Sequence, residues 1–116
     1  MQDSESEGKN SPRRPPVARM VEDIVGCKWS LEVLGAVRGG IARPGAIQRS
    51  IDGLSTKVMN ERLAKMLRYG ILRKDTFAEL PPRVEYRLTA FGRRFVVILD
   101  EIDRLEAGTA GDPEDG

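Results

Sequence analysis

The chain has 116 residues, and they include no histidine and one cysteine, Cys27. Without histidine, the chain lacks the commonest general base and the commonest metal ligand of proteins. A single cysteine can form neither an internal disulfide nor a zinc-binding thiolate cluster. We therefore expect a protein that is not an enzyme, with no cofactor and no metal. Its cysteine usage favours a cytoplasmic location.

Aromatic residues are also scarce, and no long hydrophobic run is present. Phe, Trp and Tyr together make up 5% of the chain, so aliphatic side chains must build the core. No apolar run approaches the roughly 20 residues needed to cross a bilayer, and no N-terminal signal peptide is recognisable. With 40% hydrophobic and 32% charged residues, the composition indicates one soluble globular domain and no membrane partner.

The net charge of +1 conceals two blocks of opposite sign. Residues 38–74 contain nine basic residues and two acidic ones, whereas residues 98–116 contain seven acidic residues and one basic residue. This segregation predicts one surface that attracts a polyanion and another surface with a different role.

The two ends of the chain differ from its middle. Residues 1–16 are polar, rich in proline and without an apolar pattern, and residues 108–116 are rich in glycine and acidic residues. Such segments bury too little surface to offset their ordering entropy, so we predict a disordered N-terminal arm and a disordered acidic tail. Residues 17–107 form the predicted domain.

An amphipathic helix over residues 54–70 is the centre of the predicted fold. Ser55 is a good N-cap residue, and Leu54 and Met59 have the spacing of a hydrophobic staple. Gly70 can adopt the left-handed conformation that ends a helix. The apolar stripe has helical spacing and consists of Met59, Leu63, Met66 and Leu67.

The polar side of this helix is rich in groups that bind nucleic acid. Its first two turns carry Ser55, Thr56, Lys57, Asn60 and Arg62. These side chains suit contacts with base edges and phosphates. A solvated helix face is the alternative interpretation, and this segment alone does not decide between the two.

Three shorter helices are predicted before this one. The first covers residues 17–25, the second covers residues 31–37 after the anchor Trp29, and the third covers residues 44–51. The third helix, an Asp-Gly turn and the central helix together form a helix-turn-helix. In that motif the second helix enters the major groove, and we predict that Arg43 and Arg49 contact phosphates.

A β-hairpin is predicted after the helix-turn-helix. Residues 71–77 and 84–88 have strand patterns, and the loop between them contains two prolines. A hairpin at this place is a wing, and we predict that Arg83 at its base contacts a phosphate or the minor groove.

A long last helix, capped by Thr89, completes the domain. Its apolar stripe is longer than a small domain can cover, so we predict that it pairs with a second copy of the chain. The predicted dimer contacts are Phe91, Phe95, Ile98, Leu99, Ile102 and Leu105.

Four sequence segments bear a family resemblance when they are taken together. They are residues 26–34 (GCKWSLEVL), 51–57 (IDGLSTK), 61–63 (ERL) and 81–92 (PPRVEYRLTAFG). Over about residues 16–106 the chain resembles the HxlR family of bacterial winged helix-turn-helix transcriptional regulators, which are relatives of the MarR type.

The resemblance implies a mainly α-helical winged helix-turn-helix with a small β-hairpin and with dimerisation helices at both ends. It also implies a homodimer that binds a pseudo-palindromic operator in double-stranded DNA. Two departures are clear. Proline stands where some members carry a sensor cysteine ahead of the first helix, and Arg43-Pro44 replaces the usual aromatic residue that opens the third helix.

Cys27 has two interpretations. One is a small, partly buried residue between two helices. The other is a redox-sensing thiol whose pKa is lowered by a helix N-terminus and by the neighbouring Lys28.

Two functions follow from the sequence. The first is a sequence-specific DNA-binding regulator that acts as a homodimer. The alternative is a winged-helix module for protein–protein contact without specific DNA binding. The basic block at residues 38–74 favours the first.

Overall fold

The computed structural model describes residues 14–111, which form five helices and one antiparallel hairpin. The order is α1 (Val17–Gly26), α2 (Ser30–Arg38), α3 (Pro44–Arg49), α4 (Thr56–Arg68), β1 (Leu72–Phe77), β2 (Arg83–Leu88) and α5 (Ala90–Gly111). The prediction of a mainly α-helical winged helix-turn-helix is confirmed. Of the two segments predicted to be disordered, residues 1–16 and 108–116, the parts 1–13 and 112–116 lie outside the described residues, whereas residues 108–111 belong to α5.

The core is predominantly aliphatic, in accord with the low aromatic content, and Tyr86 and Phe95 are its buried aromatic residues. Every helix and both strands contribute to a single cluster, which includes Met20, Leu34, Ile47, Leu63 and Phe95. Helix α4 contributes Met59, Leu63 and Met66 from one face at helical spacing. The predicted apolar stripe of the central helix is therefore confirmed, with Leu67 packed against its edge.

Helix α1 buries less than its sequence suggested. Met20 and Ile24 are fully buried, but Val17 and Val25 are 40% and 46% exposed. Both valines have helical spacing with the buried residues, but the core reaches only the stripe centred on Met20 and Ile24. The helix also includes Gly26, one residue beyond its predicted end.

The tight turn before α4 is built around Gly53 and Trp29. Gly53 has φ +87°, and a Cβ there would lie 3.3 Å from the Trp29 ring. Trp29 itself has φ +77°, is half-buried and packs against the core. The predicted anchoring role of Trp29 is thus confirmed, although its ring covers the turn rather than filling the centre of the core.

The hairpin has an uninterrupted register from Leu72 opposite Leu88 to Phe77 opposite Arg83. The Tyr86 amide also donates to the Ala42 carbonyl at 2.8 Å, which fastens β2 to the segment before α3. The wing is therefore attached directly to the helix-turn-helix.

Helix α5 begins after Thr89, whose hydroxyl accepts from the Gly92 amide at 2.8 Å. The prediction that Thr89 caps the N-terminal end of this helix is thus confirmed. The helix continues to Gly111, beyond the predicted end at Ala107. Phe95 and Leu99, which were predicted as dimer contacts, are 1% and 6% exposed in the single chain. They belong to the chain's own core, so the part of the stripe left for another molecule is smaller than predicted.

Candidate nucleic-acid interface

Helix α4 begins with a complete N-terminal cap. The Ser55 hydroxyl accepts from the Val58 amide at 3.1 Å, which satisfies one of the first-turn donors. At the other end, Gly70 has φ +77° and its amide donates to the Leu67 carbonyl at 3.0 Å. The predicted limits of this helix therefore agree with the structure.

Gln48 joins the two helices of the helix-turn-helix. Its Nε2 donates to the Leu54 carbonyl at 3.2 Å, and its Oε1 accepts from the Thr56 hydroxyl at 3.0 Å. The side chain of Gln48 therefore crosses the turn instead of pointing out into solvent. Thr56 remains exposed, but its hydroxyl proton is used to hold α4 against α3.

Lys57 and Asn60 are exposed in the first two turns of α4. Neither side chain has a hydrogen bond or ion pair with any of residues 14–111. Because the helix is fixed by the core, the cap and Gln48, these two polar groups project from a rigid element. A rigid helix with unsatisfied donors and acceptors in its first turns is suited to contacts with base edges.

The basic block of the sequence divides into two groups in three dimensions. Arg38, Arg62, Lys65 and Arg73 lie near carboxylates, of which Asp100 is 2.7 Å from Arg38 and Asp23 is 3.0 Å from Lys65. The other five have no carboxylate of the described segment within ion-pair distance: Arg43, Arg49, Lys57, Arg68 and Lys74. Four of these five, all but Lys74, lie in the helix-turn-helix or directly before its first residue, so the positive charge available to a polyanion is concentrated there.

Arg62 has a structural role that the sequence did not indicate. Its Nε donates to the Lys28 carbonyl at 2.9 Å, and its side chain is only 18% exposed. The prediction that it contacts phosphate is not supported, because the guanidinium lies against the turn between α1 and α2.

Arg83 is likewise engaged within the wing. Its guanidinium lies 2.9 Å from Glu79 and 3.2 Å from Glu85, and it stacks over the Phe77 ring at 4.2 Å. Two carboxylates thus balance its charge. A phosphate would have to compete with Glu79 and Glu85 for this residue, so its predicted DNA contact stays a prediction.

Cys27 follows the C-terminal end of α1 and is partly buried. Cys27 therefore does not lie at a helix N-terminus as predicted, since the helix end beside it is the C-terminus of α1. Lys28 is 5.1 Å from the centre of the Trp29 ring. Redox sensing by Cys27 stays a prediction.

A polar cluster between α1 and the end of α4 was missed. Asp23 accepts from the Tyr69 hydroxyl and, at 3.0 Å, from Lys65. The hydrogen bond from Tyr69 and the nearby Lys65 lower the pKa of Asp23, and the Asp23 carboxylate raises the pKa of Tyr69. No spacing rule could have found this cluster, because its members lie more than 40 residues apart in sequence.

Comparison with known proteins agrees with this geometry. The model of the family described as "HxlR-like helix-turn-helix" matches residues 24–111, from the last turn of α1 to the end of α5. The chain belongs to the HxlR-like helix-turn-helix family. The resemblance noted in the sequence is thus confirmed.

Relatives of known name are transcriptional regulators of the helix-turn-helix type. One from Synechocystis sp. is 38% identical over 90 residues, which are 78% of this chain and 66% of that protein. The Bacillus subtilis regulator YvaP is 32% identical over 71% of this chain and 76% of its own length. The chain thus spans about two thirds to three quarters of these relatives, and the family consists of DNA-binding regulators rather than enzymes.

Solved structures share the fold. A transcriptional regulator of the MarR family from Enterococcus faecalis superposes with a TM-score of 0.75 at 28% identity, covering 85% of this chain and 90% of its own. Within residues 14–111, no helix is both long and apolar enough to span a membrane. In the same residues, no three or more His, Cys, Asp or Glu side chains are grouped so that they could hold a metal ion.

Proposed function

We propose that this member of the HxlR-like family acts as a homodimer that binds a pseudo-palindromic operator in double-stranded DNA and regulates transcription from it. A cytoplasmic location accords with that role. The observation that supports the proposal most strongly is the exposed polar N-terminal half of α4, held rigidly by Ser55 and Gln48.

Sequence recognition is assigned to three side chains of α4. Thr56, Lys57 and Asn60 lie in its first two turns, where base edges come within reach. An asparagine can pair bidentately with adenine and a lysine can donate to guanine, and each pair is worth roughly 1–3 kcal/mol of discrimination. Ser55 supports the same turn as its cap, and its oxygen already accepts from Val58.

Phosphate contacts are assigned to the unpaired cations of α3. Arg43 precedes the first residue of α3, and Arg49 is its last residue. Both are exposed, and no carboxylate of residues 14–111 balances them. Such groups position a protein on the duplex without reading its sequence.

The dimer is assigned to an apolar groove between α1 and α5. The groove has a volume of about 330 Å³ and is lined by Val17, Phe91, Arg94, Phe95 and Ile98. Its floor is the buried Phe95, whereas Val17 and Ile98 are about two-fifths exposed. Ile102 and Leu105 continue the same stripe. A second copy would cover these side chains and bring two α4 helices about one DNA turn, roughly 34 Å, apart.

Selection from a random duplex library, followed by a salt titration, tests the proposal. The selected duplexes should share an inverted repeat, and the protein should bind them as two chains per duplex. Affinity for random DNA of equal length should fall steeply with salt, because phosphate contacts release counterions. If no sequence is enriched and affinity for duplex DNA is absent at low salt, the chain is a protein-binding winged-helix module instead.

A further inference from the structure

Helix α4 carries a third functional face besides those for the core and for DNA. Arg62, Lys65 and Tyr69 follow an i, i+3, i+7 pattern, so they share one flank of the helix. Asn60 and Thr56 lie on a different flank, because each residue advances about 100° around an α-helix. The flank of Arg62, Lys65 and Tyr69 faces α1 and the turn that follows it.

Two contacts on this flank hold α4 at separate points along its length. In the second turn, Arg62 Nε donates to the Lys28 carbonyl at 2.9 Å. In the last turn, Lys65 and the residue that caps the C-terminal end, Tyr69, both donate to the carboxylate of Asp23. These contacts add to the core packing of α4, and because they lie at separate points they constrain its direction relative to α1 more tightly than either contact alone.

We infer that this α1–α4 clamp, made of Asp23, Lys28, Arg62, Lys65 and Tyr69, sets the angle at which the recognition helix enters DNA. The inference rests on the proposed function. It makes Asp23 a specificity-determining residue that touches no DNA. It also explains why two cations of the recognition helix, Arg62 and Lys65, are turned away from the exposed face.

The clamp has a particular consequence in a dimer. Helix α1 lines the groove assigned to the second copy, through Val17. Asp23 therefore links the orientation of α4 to α1, the helix that would help to define the two-fold axis of the dimer. Loss of the clamp should leave each α4 able to bind DNA while the pair no longer fits both half-sites at once. The affinity for the specific duplex should then fall more than the affinity for random DNA, because only specific binding requires base contacts to be aligned.

The clamp depends on the charge of Asp23 and on its two hydrogen-bond donors, so single substitutions can test it. Asp23 receives two hydrogen bonds, and both of its carboxylate oxygens are used. Asp23→Asn removes the charge that attracts Lys65 and replaces one acceptor by a donor, so Lys65 loses its ion pair and Tyr69 can no longer donate to that position. Tyr69→Phe removes one hydroxyl and leaves the ring, which is half-buried against the core. Glu22→Gln makes the same change of charge at the neighbouring, exposed position of α1 and serves as the control.

The first measurement does not involve DNA. Amide hydrogen exchange in residues 60–68 reports how firmly α4 is held in the full chain. Asp23→Asn and Tyr69→Phe should accelerate exchange there by about tenfold, as expected for the loss of a charge-assisted hydrogen bond. Glu22→Gln should leave these rates at the parent values.

The second measurement is the ratio of affinities for the duplex selected by the parent protein and for random duplex DNA. It is made well below the melting temperature of each variant. The two clamp variants should lower this ratio by about tenfold. They should keep the parent's salt slope, because no phosphate contact is removed. A purely structural cluster would lower the melting temperature and leave the ratio unchanged.

Equal exchange rates in α4 for Asp23→Asn, Tyr69→Phe and the parent would overturn the inference, whatever the DNA results. So would faster exchange with an unchanged affinity ratio, since α4 would then be loosened without a change in specificity. A parent protein that binds no duplex DNA would refute the proposed function instead, while the exchange experiment would still decide whether the clamp exists.

Discussion

Gly92 lies directly against the backbone of Ile71, so that a Cβ on Gly92 would be 2.0 Å from the Ile71 carbonyl oxygen. The same carbonyl accepts from the Thr89 amide at 3.0 Å, and the Gly92 amide donates to the Thr89 hydroxyl. The first turn of α5 is thus packed onto the start of the hairpin through backbone atoms that cannot move aside independently.

Gly92→Ala should therefore destabilise the fold strongly. We expect a loss of about 3 kcal/mol or more in the free energy of unfolding, measured by urea denaturation, because backbone must be displaced to admit the methyl group. The matched control is Gly35→Ala in α2, where no side chain or backbone atom outside the adjoining helical backbone lies within 4 Å of the position that the new methyl group would occupy. That change should stabilise the protein by about 0.5–1 kcal/mol. Similar effects at both positions would contradict the packing described for Gly92.

The Asp23 cluster should give stability a specific dependence on pH. Hydrogen bonds from Tyr69 and Lys65 lower the pKa of Asp23 from its ordinary 3.8. A lowered pKa in the folded state means that the carboxylate contributes stability above pH 3.8 and that this contribution disappears as the pH falls through the lowered value. At pH 7, Asp23→Asn should therefore cost about 1 kcal/mol of unfolding free energy.

This difference between the parent and Asp23→Asn should shrink steadily once the pH is taken below about 4. Urea denaturation of both proteins across this range measures it, and Glu22→Gln is the control for removing a carboxylate from α1. A difference that stays constant from pH 7 to pH 3 would show that the charge of Asp23 is not what stabilises the contact.

The groove between α1 and α5 should determine the oligomeric state. Ile98→Asp places a charge among Val17, Phe91 and Phe95, so it should convert dimers into monomers that bind the selected duplex weakly. Static light scattering at micromolar concentration measures the change. Leu80→Asp is the control, because it replaces a side chain that is 98% exposed at the tip of the wing. A parent protein that is already monomeric at this concentration would contradict the assignment.

The sequence was most informative where structure depends on near neighbours. Ser55, Gly70 and Thr89 each signal a helix end through contacts within three residues, and all three were predicted correctly. The alternation around Tyr86 likewise predicted the return strand. These signals are local, so the residues beside them contain most of the relevant chemistry.

The partners of charged side chains could not be predicted in the same way. Arg62 bonds to a carbonyl 34 residues away, and Lys65 pairs with a carboxylate 42 residues away. A count of basic residues in the segment treats these two and Arg43 as equivalent. Only the folded chain separates cations that hold elements together from cations that remain available to a polyanion. Six of the predicted DNA-contacting residues are exposed: Arg43, Arg49, Ser55, Thr56, Lys57 and Asn60.

If α4 reads bases and α3 contacts phosphates, variants of the two helices should affect DNA binding in different ways. Arg43→Gln should weaken binding to the selected duplex and to random DNA by a similar factor, and should reduce the salt slope by about one unit. Asn60→Ala removes a base contact only, so it should leave the salt slope and random-DNA affinity near the parent values.

The most direct test of the account is therefore the affinity of Asn60→Ala for the selected duplex, compared with its affinity for random DNA at the same salt concentration. We predict that affinity for the selected duplex falls by about tenfold or more, as the loss of one base contact of roughly 1–3 kcal/mol requires, while affinity for random DNA is nearly unchanged. If both affinities fall in the same proportion, α4 does not read sequence and the account is wrong.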